Sequence, residues 1–108
     1  MTTIVFANPK KQKMAAGWES LELTEAGTWE SFPPFAHRYA EQIGAKVLRK
    51  ITGPDMHIWE IEYEGEILNF VYDDFPNGVS IEPKAESGQL AIDKLYRLVL
   101  EQSDPNGL

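Results

Sequence analysis

The sequence predicts an α+β domain in which an antiparallel sheet of four or five strands carries two helices packed on one face. Three observations point there. Trp59, Ile61 and Tyr63 alternate with Glu60, Glu62 and Glu64, and Leu68, Phe70 and Tyr72 alternate with Ile67, Asn69 and Val71. That period of two marks strands with one buried face. Phe32, Phe35, Ala36, Tyr39, Ala40 and Ile43 recur at helical spacing, and so do Ile92, Leu95, Tyr96 and Val99. Both apolar stripes need a cover, which the Trp59/Phe70 face supplies.

The N-terminal elements carry the weakest pattern. Thr3–Phe6 reads as a short strand, and Asn8–Lys13 as a turn followed by a basic loop. The chain is read as one domain, 1–108, with flexible ends at 1–16 and 103–108. Trp18–Leu23 is extended, with Leu21 and Leu23 on one face. Thr28 suits the N-cap of a turn through Trp29 and Phe32. Pro33-Pro34 fits the first turn of a helix, where a missing N–H costs little. This helix runs over residues 33–43 and stops at Gly44. Ala45–Thr52 follows as a strand. Val47, Leu48 and Ile51 do not share one parity, so the segment either bulges or is covered on both faces, and its register stays open.

The next hairpin has a readable register. With Glu64-Gly65 as its loop, Tyr63 lies opposite Glu66, Ile61 opposite Leu68, Trp59 opposite Phe70 and His57 opposite Tyr72. Large apolar cross-strand pairs stabilise such a sheet. A slip of one residue would put Glu60 and Glu62 into the core. Phe75-Pro76-Asn77-Gly78 matches a type I turn closed by a glycine bulge. Val79 and Ile81 then return on the same face, with Ile81 near Tyr72. Pro83 marks an edge strand or a strand terminus. Ser87 is placed to cap a helix over residues 88–102. Leu90, Ala91, Leu98 and Leu100 widen its stripe beyond what one sheet face covers.

Composition narrows the function. The chain has 108 residues, a net charge of -7 and 25% charged residues, values that suit one folded acidic domain. Such a charge repels phosphate backbones, so no nucleic-acid partner is expected. The absence of cysteine excludes disulfides, thiolate catalysis and cysteine metal sites. Met1–Ala7 lacks the basic start and apolar stretch of a signal peptide. No apolar run reaches the roughly 18 residues of a membrane span. A soluble cytoplasmic protein with no membrane partner is the expectation.

Few residues could carry chemistry. His37 lies on the polar face of the first helix, four residues before Glu41. His57 shares the core face with Trp59 and Tyr72, where a hydrogen bond to Tyr72 or to a backbone carbonyl would hold it. Neither histidine has companion ligands at usable spacing, so no metal site is assigned and no cofactor is expected. Asp73 and Asp74 point to opposite sides of their strand. No glycine or serine sits in a phosphate-binding or nucleophile motif, and no catalytic residue is assigned. A polar set of His57, Tyr72 and Asp74 is what a small enzyme or metabolite binder would use. A different feature is Ile58 opposite Val71, with Met56 and Ile67, on the face the helices do not need. These four residues mark an interaction surface.

The run from Trp29 to Glu82 resembles small bacterial domains known only as domains of unknown function. The likeness lies in the aromatic helix residues Trp29, Phe32 and Tyr39, then Trp59-Glu60-Ile61 and Tyr72-Asp73-Asp74. It covers half of the chain, implies no activity and transfers no functional residue. By size and charge the chain is also similar to small acidic secretion chaperones. Three functions stay open: a non-enzymatic protein that binds another protein or itself through its sheet or helices, a chaperone- or adaptor-like homodimer for one partner, and a small enzyme or metabolite binder. In a homodimer the glutamates around the surface would oppose stacking of two like ridges, so the contact should tighten as salt rises.

Overall fold

The computed structural model describes residue 4, residues 6–74 and residues 77–103. In chain order the elements are β1 (Lys10–Lys13), β2 (Glu19–Thr24), α1 (Phe32–Ile43), β3 (Lys46–Thr52), β4 (Met56–Tyr63), β5 (Glu66–Asp74), β6 (Asn77–Pro83) and α2 (Gln89–Ser103), with a 3-10 turn at Glu86–Gly88 before α2. The sheet has six strands in the order β1-β2-β6-β5-β4-β3, and every neighbouring pair is antiparallel.

The sixth strand is Lys10–Lys13, which the sequence presents as a basic loop. Its residues carry no apolar alternation because it is an edge strand, paired among the described residues only with β2. What holds it is a tight reversal at Met14–Trp18, where the Gly17 N–H donates to the Met14 carbonyl at 2.9 Å and Gly17 takes φ 99°. Lys11 then reaches across to α2, to Asp93 at 3.2 Å and over the Tyr96 ring. Ile4 and Phe6 lie outside any strand, and the rest of the expected strand at Thr3–Phe6 lies outside the described residues.

The β4–β5 pairing follows the predicted register, from Tyr63 opposite Glu66 to His57 opposite Tyr72. In β6 the offset differs by one pair: Val79 faces Tyr72, and Ile81 faces Phe70. Asn77 pairs with Asp74, and the Phe75-Pro76 part of the predicted turn lies outside the described residues. Pro83 ends β6, which is an interior strand, so it is a terminus and not an edge. β3 is the other edge and shifts register between Val47 and Arg49. The bulge is the cause of its broken parity, and Leu48 and Ile51 are exposed instead of doubly covered.

Both helices cover one face. Thr28 caps the turn before α1: its hydroxyl accepts the Ser31 N–H at 3.0 Å. Gly44 closes α1 in the left-handed conformation, φ 76°. Phe32, Ala36 and Tyr39 of α1 and Ile92, Leu95 and Val99 of α2 join Leu21, Leu23, Trp59, Ile61, Leu68, Phe70 and Ile81 in one core. Ser87 does not cap α2. It sits inside the 3-10 turn and its hydroxyl donates to Glu66. The outer part of the broad α2 stripe, Leu90 and Leu100, faces solvent. Among the described residues no helix is long and apolar enough to cross a membrane.

Both edges are basic. β1 carries Lys10, Lys11 and Lys13, and β3 carries Lys46, Arg49 and Lys50. Lysine-rich, bulged edges resist pairing with another strand. Any contact with a second chain is therefore steered toward the faces.

Candidate interaction face

The side of the sheet opposite the helices is not covered by any described element. Strand register decides what it displays. Ile51, Ile58, Val71 and Ser80 form one row across β3, β4, β5 and β6. On one side of it lies a row of Arg49, Glu60, Asn69 and Glu82, and then Lys46, Glu62 and Ile67. On the other side lie Met56, Asp73 and Gly78. The four residues expected to form an interaction surface thus share this face. Ile51 joins them, a residue hidden from sequence reasoning because the bulge scrambles its parity. Ile51 is 38% and Ile67 40% exposed, while Val71 is only 6% exposed.

The charges on this face are unevenly matched. Glu60 receives Lys84 and, at 3.8 Å, Arg49. The hydrogen bond from Lys84, aided by both positive charges, holds its carboxyl below the usual range. Glu62, Asp73 and Glu82 have no ion pair among the described residues. Burial, together with the negative charge of Asp73, pushes the Glu82 carboxyl up. Asp73 and Glu82 line a trough of about 320 Å³ over β1, β2 and β6, whose one cation, Lys10, lies near Glu22 and Glu25.

The polar set of His57, Tyr72 and Asp74 is only partly brought together. His57 is buried between the Trp29 ring, 4.0 Å away, and the Phe32 ring, 5.3 Å away. Its Nε2 lies 3.1 Å from the Trp29 carbonyl and therefore carries the proton, the backbone bond expected of it. Its Nδ1 has no partner among the described residues. Tyr72 instead donates to Asp74 at 3.0 Å and accepts from Asn77, a member of the network that sequence reasoning missed. Burial first, then the Asp74 hydrogen bond, pushes the Tyr72 phenol up, so it acts as a donor. An apolar cavity of about 240 Å³ lies beside Tyr72, lined by Phe32, Phe35 and Val79 but not by His57 or Asp74. The set ties the β2–α1 loop to the sheet, because Asn77 also donates to the Gly27 carbonyl. It does not converge three groups on one substrate position.

His37 is exposed, as its place on α1 implies, but its contact is not Glu41. Lys50 donates to its Nε2 at 3.0 Å and lies over the Trp59 ring. Among the described residues no group of three or more candidate ligands is placed to hold a metal.

A family model matches residues 10–99, from β1 into α2. The chain belongs to DUF3630, a family of proteins of unknown function. The matched stretch contains the whole open face. No curated protein and no solved structure matches the chain.

Proposed function

We propose that this DUF3630 member acts by protein–protein contact through the open face of its sheet. The observation that supports the reading is the apolar row Ile51–Ile58–Val71, flanked by Met56 and Ile67, on a face that neither helix covers. An antiparallel sheet facing only water alternates to polar residues there. Magnitudes limit what this row can do alone. Fully burying an isoleucine is worth about 1.5–3 kcal/mol, so side chains already more than half covered offer roughly 1 kcal/mol each. Association costs an estimated 4–15 kcal/mol. The contact therefore needs polar complementarity around the row as well. Ile58→Glu tests the reading, by sedimentation and by capture of bound protein, with circular dichroism as the folding control. The substitution should abolish the association. If it changes neither self-association nor any bound protein, the face is a solvated sheet surface.

A further inference from the structure

We propose that the occupant of this face is a second copy of the chain, docked about a two-fold axis parallel to the strands and midway between β4 and β5. The inference rests on the reading of the face as a contact surface and names its partner.

An axis in that direction leaves each row at its own level and exchanges the strands on its two sides. β4 then lies over β5 of the other copy, and β3 over its β6, within the usual offset of about 30° between stacked sheets. Ile58 meets Val71, and Ile51 meets Ser80. Arg49 meets Glu82, and Glu60 meets Asn69. Glu62 meets Ile67, and Met56 meets Asp73. None of these named pairs sets like charges against each other, although each chain carries -7; at the end of the footprint Lys46 comes over Lys84, whose ammonium is already held by Glu60. The repulsion expected of stacked acidic ridges assumes ridge over ridge, which this axis avoids.

The central polar pair fits the state of its members. Glu82 has no cation of its own among the described residues, and its carboxyl is pushed up by burial beside Asp73. Arg49 is 65% exposed, and its one acidic neighbour, Glu60, has a closer cation in Lys84. A two-fold contact makes the pair twice. The competing arrangements are poorer. An axis across the strands, through the Ile58–Val71 row, sets Glu82 over Gly78 and leaves Arg49 beyond the end of β3. Edge-to-edge pairing of β1 with β1, or of β3 with β3, opposes basic side chains. A footprint of four strands about 4.8 Å apart is roughly 15–20 Å wide. That lies at the small end for specific interfaces, so the dimer should dissociate on dilution, in the micromolar range.

The test is a charge-swap series followed by sedimentation equilibrium, with thermal unfolding to verify each fold. Wild type should dimerise reversibly. Arg49→Glu and Glu82→Arg should each weaken the dimer at least tenfold. The double variant should recover to within a few-fold of wild type, because it rebuilds the pair with its signs exchanged. A wild type that stays monomeric overturns the inference, as do single variants with unchanged dimerisation or a double variant no better than the singles. Ile58→Glu separates this inference from the reading beneath it. If wild type is monomeric yet Ile58→Glu releases a different, identified protein, only the second-copy inference fails. If a dimer persists unchanged in Ile58→Glu, both fail.

Discussion

Phe70 and Val71 are neighbours in β5, and they live in different environments. Phe70 is fully buried, with its ring 5.3 Å from Phe32, 5.9 Å from Phe35 and 6.0 Å from Tyr39. Val71 looks out of the other side, into a row of half-covered isoleucines rimmed by carboxylates. One face is sealed by aromatic residues from α1 and aliphatic residues from α2. The other is apolar enough to be wetted at a cost and charged enough to stay soluble. The difference teaches that the same alternation can encode a core on one parity and a partly apolar open face on the other, and that the helices choose between them.

The largest expected effect lies on the sealed face. Phe70→Ala should cost about 3–5 kcal/mol in urea unfolding, because it leaves a cavity among three rings. Ile67→Ala, three residues away on the open face, should cost less than about 1 kcal/mol in dilute protein. If the two substitutions cost the same, the contrast between the faces is wrong.

A smaller effect tests how tightly the core is packed. The Tyr39 hydroxyl is buried and has no hydrogen-bond partner among the described residues, and burial pushes its ionisation well up. Tyr39→Phe removes an unsatisfied group, so stability should hold or rise by up to about 1 kcal/mol. A clear loss of stability would mean that this hydroxyl is satisfied in the folded protein.

The smallest effect belongs to the open face and depends on pH. Because folding raises the Glu82 carboxyl, the protonated form is favoured in the folded state. Its stabilising contribution is present below the ordinary carboxylate range and is lost as pH rises through the elevated value. In dilute protein, Glu82→Gln should therefore raise the melting temperature at pH 7 and leave it unchanged at pH 3. An equal change at both pH values would contradict this.

Legibility from sequence followed the same division. The β4–β5 register could be read because Trp59, Ile61, Leu68 and Phe70 must share a face and a two-residue loop leaves them one way to do so. β1 could not, because Lys-Lys-Gln-Lys buries nothing of its own and is placed by a reversal and by a contact from Lys11 to Asp93, 82 positions along the chain. Four of the five apolar residues of the open face were readable from parity. Ile51 was not, since the bulge after Val47 breaks the period, although that break was itself the signal of a bulge. The polar complement, Arg49 and Glu82, depends on strands β3 and β6 lying on either side of the β4–β5 pair, which no local pattern specifies. That His57 would bond either a backbone carbonyl or Tyr72 was legible. Its bond to Trp29 instead of Tyr72 depends on how α1 docks.

The most direct measurement is a dilution series followed by methyl NMR of isoleucine-labelled protein. The signals of Ile51, Ile58 and Ile67 should shift together with concentration, while those of Ile61, Ile81 and Ile92 in the core stay fixed. Shifts confined to other surfaces, or none at all up to millimolar concentration, would contradict this.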